Sequence, residues 1–319
     1  MNTIKSTIYG KAYEYACVLA IKDIVTKYRR VQIESNDSLV IAKVRYQKEI
    51  SDQDRKEMLL SATCGINAII EMEPRIIEDG KDVLSISLQP DNVATQNGDI
   101  RDVLIIRRSI KWEIGISVKH NHAALKHSRL SQQLDFGKEW MQYPCSKQYF
   151  AEIKPIFDKL HQFKEQGKKW RDLNKKEDNV YIPILNAFLK ELLSLDSKKN
   201  ITGNLVKYLI GSNGKDYYKL IHNNNHTTTI MPFNVLGTLN LATDKSMPKI
   251  KIPRIKLPTR IIEFAFKENS KTTLILTMNN GWSISFRIHN ASTKVEPSLK
   301  FDIQLKSKPE DIFYLNRKW

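Results

Sequence analysis

Between Asp99 and Arg129 the chain carries a pattern that fits little other than a β-hairpin with acids near one end and a lysine closing the other. Val103 to Ile106 is an apolar run of strand type, Arg107 to Lys111 is polar and short enough to reverse the chain, and Trp112 to Lys119 alternates. The alternation sets Trp112, Ile114, Ile116 and Val118 on one face and Glu113, Gly115, Ser117 and Lys119 on the other. A turn centred near Ser109 and Ile110 brings Asp102 opposite Ser117, about two residues from Lys119. An acid beside a lysine on neighbouring strands is what metal-dependent phosphodiester cleavage needs. The carboxylate holds a divalent ion, while the ammonium positions water and offsets charge on the phosphate. A strand ending in lysine is more often a plain solvated tip. The residues just after this strand weigh against that reading. Lys119, His120, Asn121, His122, Lys126, His127, Ser128 and Arg129 crowd donors around Ala123, Ala124 and Leu125, which suits a polyanion lying across a metal site.

Charge points the same way. The chain has 51 Lys and Arg against 35 Asp and Glu, a formal net charge of +16. Such a balance favours a polyanionic partner and makes its binding sensitive to salt. No apolar run approaches the ~18 residues of a spanning helix, and the N-terminus lacks a signal-peptide pattern. The expectation is a soluble protein of the cytoplasm with no membrane partner. Cys17, Cys64 and Cys145 are scattered, implying neither a disulfide framework nor a zinc cluster. His120 and His122 have no further His or Cys cluster beside them to complete a transition-metal site.

Helical periodicity runs over residues 8–28 and again from Ser51 to Glu73, with acids in the second helix's first turn and Pro74 just past its end. Gln89 to Gly98 is a polar loop leading into the hairpin. Helical patterns return from about His122 to Leu195, and Lys164, Lys168, Lys169 and Arg171 there read as a solvated basic face. From Asn200 onward, KYLIG, DYYKLI, TTTIMPF, RIIEFAF, TTLILTM and WSISFRI read as short strands separated by turn residues. Between them, Pro248 to Pro258 repeats proline among Lys249, Lys251, Arg254 and Lys256, so it is extended, either along a DNA backbone or as a solvated connector. In SISFRIHNAS, alternation places Ser283, Ser285, Arg287 and His289 on one face. That face is either solvated or fit for base edges, because arginine can bond guanine O6 and N7 together.

The segments GDIRDVLIIRR and WEIGISVKHNHAALKHSRLS closely resemble the HaeIII-type family of type II restriction endonucleases, within the PD-(D/E)XK nuclease superfamily. Trp282 to Leu305, and DYYKLI with the following FNVLGTLN, are similar to that family too, so the likeness spans most of the chain. The resemblance implies an α/β restriction-endonuclease-like core, a mixed central sheet flanked by helices, with a helical middle and a β-rich C-terminal DNA-binding region. The corresponding divisions are residues 1–145 for the catalytic core, 146–199 for the helical region and 200–319 for DNA recognition.

It further implies Mg2+-dependent hydrolysis of double-stranded DNA at a short G/C palindrome, GGCC, leaving 5′-phosphate ends. A homodimer on the palindrome and a protecting DNA methyltransferase, a genetic rather than a bound partner, go with that activity. The implied catalytic residues are Asp102, Lys119 and Glu113; the implied metal ligands are Asp102, Glu14 and the Val118 carbonyl. Lys126, His127 and Arg129 would hold phosphates, while Arg287, His289 and Asn290 would read bases.

The sequence departs from the superfamily in one respect: the carboxylate two residues before the lysine is replaced by Ser117. Two residues compete for the vacant role. Glu113 has the right parity but lies roughly 13 Å back along an extended strand. Glu14 shares a helical face with Val18, Ile21 and Val25, where a carboxylate is costly without a partner. It fits the place from which the superfamily's first helix often lends a glutamate; otherwise it sits half exposed in a first turn. The missing acid also leaves open a DNA-binding protein without catalysis, and a nuclease for structured or damaged DNA shares the site without the sequence readout.

Overall fold

The computed structural model describes residues 3–78, 80–90, 99–121, 125, 128–199, 201–212, 214–290, 292–307 and 309–319. They form two compact units that alternate along the chain: residues 1–123, 212–255 and 311–319 make the first, and 124–211 with 256–310 make the second.

The first unit is built on a seven-stranded mixed sheet. Strands are numbered along the chain: β1 (Val31–Ile33), β2 (Leu84–Leu88), β3 (Val103–Arg107), β4 (Trp112–His120), then β6 (Tyr217–Asn223), β7 (Thr227–Phe233) and β12 (Leu315–Lys318), in that spatial order. Pairs β1/β2 and β4/β6 are parallel and the others antiparallel. Three helices belong to this unit, α1 (Thr3–Val25), α2 (Asp37–Lys48) and α3 (Asp52–Met72). Asn36 caps α2 by accepting from the Leu39 N–H, and Ser51 caps α3 by accepting from the Asp54 N–H. Ala12, Ala16, Cys17 and Ile21 of α1 and Ala62, Ile66 and Ile69 of α3 share one apolar cluster with Ile114, Ile116, Val118, Leu220 and Ile230 of the sheet. Gly65 allows α3 to approach closely, since a Cβ there would fall 2.3 Å from Leu220 Cδ1.

The hairpin forms in the expected register. Val103 pairs with Ile116 and Arg107 with Trp112, a 3-10 turn spans Arg108–Ile110, and Lys111 adopts the left-handed conformation at φ 51°. One residue beyond the last ladder pair, Asp102 comes level with Ser117, its N–H donating to the Ile116 carbonyl at 2.9 Å.

The second unit carries an antiparallel five-stranded sheet ordered β5 (Arg129–Ser131), β11 (Ser298–Ser307), β10 (Ser283–His289), β9 (Thr273–Met278), β8 (Ile261–Phe266). Its helices are α4 (Lys147–Glu165), α5 (Ile182–Lys199) and α6 (Thr202–Leu209). Phe188 of α5 is central to the aromatic core, meeting Phe136 edge-on at 4.9 Å and packing tilted against Phe286 and Phe301.

The architecture is thus the mixed α/β, restriction-endonuclease-like arrangement expected, with a β-rich C-terminal region. Three local expectations need correction. KYLIG is no strand: Lys207–Leu209 closes α6, where Leu205, Val206, Tyr208 and Leu209 are buried. A short apolar run without longer periodicity reads either way. The helical stretch from 122 to 195 is interrupted by β5. Finally, the divisions expected at 145 and 199 differ from the borders of the compact units, because β6, β7 and β12 complete the first sheet. Pro248–Pro258 is extended without a ladder partner, and no described helix is long and apolar enough to cross a membrane.

Candidate active site

Strand β3 delivers Asp102 and strand β4 delivers Lys119 to one place. Asp102 Oδ2 accepts from the Val118 N–H at 2.6 Å, from Lys119 Nζ at 3.3 Å and from Ser117 Oγ at 3.5 Å. Among the described residues no donor reaches Oδ1. Each side chain of the pair remains about a quarter exposed, at 24% for Lys119 and 23% for Asp102. The two groups therefore converge as the hairpin pattern predicts, and Val118 joins them through its amide.

Glu14 of α1 belongs to the same cluster. Its carboxyl is buried and pairs with Lys11 at 3.1 Å. Burial and the neighbouring Asp102 anion push its pKa up to about 8, against the pull of Lys11 and Lys119. A carboxylate raised by a second carboxylate is in the condition that a divalent hard cation relieves, and both donors are oxygen. These residues fit such an ion. Among the described residues no group of three or more His, Cys, Asp or Glu gathers to hold a metal, so the acids here are two.

Glu113 is engaged elsewhere. It accepts from Arg101 at 2.7 Å and from Lys215 at 2.8 Å. Burial alone would raise it, but hydrogen bonds from Lys215 and Arg101 outweigh that and hold it below the usual carboxylate range. Asp99 likewise takes the Arg101 guanidinium, at 2.7 and 2.8 Å. Arg101 is 3% exposed, and its aliphatic stem lies against Gly115, where a Cβ would stand 2.2 Å from Arg101 Cδ. Asp99 and Glu113 are thus both engaged by Arg101, the residue preceding Asp102 in the chain, with Lys215 also donating to Glu113.

Sequence reasoning missed Lys219. It lies on β6 in register with Ser117 of β4, so both side chains belong to one face of the sheet, and it is 1% exposed. Burial and the Lys119 charge lower its pKa to about 7, with Asp102 opposing. The available signal was a lysine inside a strand otherwise apolar enough to be buried, a placement lysine takes only with a reason.

Beyond Lys119, His120 stacks on His222 at 4.9 Å and meets Tyr9 at 5.1 Å, an aromatic arrangement and no metal triad. His122, Lys126 and His127 lie outside the described residues.

The base-reading candidates sit on the second unit's sheet. Arg129 pairs across β11 with Lys300, and Lys300 pairs with His289 of β10, so three basic residues form one row. Arg287 is exposed and meets Asp302 at 3.2 Å, while Asn290 donates to the Ser292 carbonyl at 2.8 Å. Burial lowers the pKa of both His289 and Lys300. Ser285 is buried, so the polar face of β10 is narrower than alternation suggested. Lys300 was the overlooked member, visible only once β11 is in register.

The HaeIII restriction endonuclease family is matched over residues 10–309. The Type II restriction enzyme HaeIII of Haemophilus aegyptius is 46% identical over 318 residues, covering 99% of this chain and 98% of that protein. No solved structure is matched. Likeness over nearly the whole length, on a sheet that brings an acid and a lysine together at the end of a hairpin, settles the affiliation: the chain belongs to the HaeIII restriction endonuclease family and is a DNA-binding, site-specific deoxyribonuclease.

Proposed function

We propose that the enzyme hydrolyses double-stranded DNA at GGCC with Mg2+, leaving 5′-phosphate and 3′-hydroxyl ends. The observation carrying this reading is the 3.3 Å approach of Lys119 to Asp102 with Glu14 inside the field of both. Asp102 and Glu14 would hold the ion, with the Val118 carbonyl as a third oxygen. Bound there, the ion supplies Lewis acidity at the scissile phosphate. Lys119 orients the attacking water and offsets phosphate charge, and the Val118 N–H keeps Asp102 from swinging away. Glu113 serves indirectly, by holding Arg101.

The first unit would cut and the second would choose. Arg287, backed by His289 and Asn290, suits guanine edges, and Asp302 keeps its guanidinium oriented. Arg129 and Lys300, with Lys126 and His127, suit phosphates, which set register without reading sequence. A two-fold dimer matches a palindrome, and a cytoplasmic methyltransferase guarding GGCC completes the system.

The test is digestion of phage DNA with Mg2+, repeated with chelator and with DNA premethylated at GGCC. Discrete fragments ending at GGCC, absent in both controls, are expected. A smear, or cutting at another sequence, would overturn the reading.

A further inference from the structure

The second unit holds a cavity of about 290 Å³ between α4 and the segment 168–180. Its floor is apolar: Ile156, Leu160 and Phe163 come from one face of α4 at helical spacing, and Leu173 and Val180 close it from the other wall. Its mouth is basic. Lys159, Lys168 and Lys176 line it, and among the described residues none of the three has a carboxylate within ion-pair distance. The Lys168 ammonium stands 4.4 Å from the centre of the Phe163 ring, and that of Lys159 stands 5.9 Å from the same ring. Asp172, the acid in the lining, is already engaged by the Lys169 N–H at 3.2 Å and the Arg171 guanidinium at 3.6 Å. The outer wall is fixed in place. The Trp170 N–H donates to the Thr293 carbonyl at 3.1 Å, and the Val295 N–H donates to the Lys168 carbonyl at 2.9 Å. Tyr181, next to Val180, donates to Asn290 Oδ1 at 3.5 Å, so this wall adjoins the end of β10.

We propose that the cavity binds one nucleotide, with its base on the apolar floor and its phosphate on the lysines. A space near the small end of the ligand-pocket range admits a single base with its phosphate and excludes a duplex. An ammonium resting on Phe163 has a cation–π contact, which is weaker than a charge-assisted hydrogen bond to a phosphate oxygen. An arriving phosphate therefore draws the ammonium off the ring and frees the ring for the base. A fatty acid would match the floor and the lysines but set the Asn174 and Asn179 amides against hydrocarbon, whereas a base edge gives those amides partners. The same chemistry has two sources, a free mononucleotide or an unpaired nucleotide of a DNA strand. The site goes beyond the cleavage reading and does not depend on it.

The experiment is equilibrium dialysis of the whole chain, with chelator, against thymidine 5′-monophosphate, thymidine and inorganic phosphate. The wild type should bind one thymidylate about tenfold tighter than either half, the effect of adding one hydrogen bond to a charged group. Lys168→Gln and Lys176→Gln should each weaken thymidylate about tenfold. Lys164→Gln, an equal change of charge outside the cavity, and Lys119→Ala, at the cleavage site, should bind as the wild type does. Displacement of thymidylate by a short oligothymidylate is expected and assigns the source to a DNA strand; thymidylate that stays bound assigns it to the free nucleotide. Thymidylate binding no tighter than thymidine or phosphate would overturn the proposal, as would Lys168→Gln and Lys176→Gln matching Lys164→Gln. Loss of binding in Lys119→Ala would place the nucleotide at the cleavage site and overturn it too. Should a variant fail to fold by circular dichroism, the wild-type preference for thymidylate over thymidine decides the matter.

Discussion

Glu14→Gln tests the buried acid from the side of stability. In the metal-free protein Glu14 titrates near pH 8 against an ordinary value of 4.5, mainly because it is buried and secondly because Asp102 is close. A raised acid favours the folded state while protonated. Its contribution is complete below pH 4.5 and is lost as pH climbs through about 8. Each pKa unit corresponds to about 1.4 kcal/mol, so the loss across this window is on the order of 5 kcal/mol at most. Glu73, raised to about 7 by burial, adds a fall of the same sign, whereas Lys219, lowered to about 7 chiefly by burial, makes stability rise between about 7 and 10.5. The comparison that isolates Glu14 is therefore wild type against Glu14→Gln, with chelator, by urea unfolding at pH 5, 6 and 7. The wild type should lose stability relative to the variant at each step upward. Adding Mg2+ at pH 7 should release a proton from the wild type alone, read by calorimetry in buffers of different ionisation enthalpy. Parallel pH profiles with and without the carboxyl would refute the argument that Glu14 is held protonated beside Asp102.

Three further outcomes rest on the same geometry. Lys119→Ala should abolish cleavage while leaving specific binding in Ca2+ intact, measured by gel shift beside a cleavage assay; surviving cleavage removes the lysine from the chemistry. Arg287→Ala should cost about 1–3 kcal/mol of specific binding and relax base preference, the range for a lost bidentate contact. Lys300→Ala should weaken binding to all DNA sequences alike and flatten the log K against log salt slope by about 0.9, the share of one phosphate contact.

The hairpin and its register were legible because they are local. Alternation over eight residues and a five-residue turn fix which side chains share a face, and they put Asp102 level with Ser117 before any tertiary contact is known. Glu14 was legible as a cost, an acid on an apolar stripe; that it lies buried within the field of Asp102 is visible only in the fold. Parity could not show that Glu113 is bound by Arg101, whose stem needs the missing side chain of Gly115. Lys219 escaped because its ladder partner Ser117 lies far back along the chain, and pattern does not report which strand lies beside which. The same blindness assigned β6, β7 and β12 to a C-terminal region instead of the first sheet. Strand β1, at three residues, was too short to carry a period.

The parallel pairing of β4 with β6 has a consequence for synthesis. Parallel neighbours require a crossover, and here the intervening chain contributes α4, α5 and α6 to the second unit. A ribosome that has finished Lys119 must translate about a hundred residues more, at roughly 5–20 per second, before β6 emerges. Until then the growing polypeptide holds Asp102 and Lys119 on a sheet whose β4 flank is open, a sticky border prone to clumping. A chain that stops short of β6 therefore lacks the strand that pairs with Ser117 and Lys119, and the seven-stranded sheet beneath Asp102 stays incomplete.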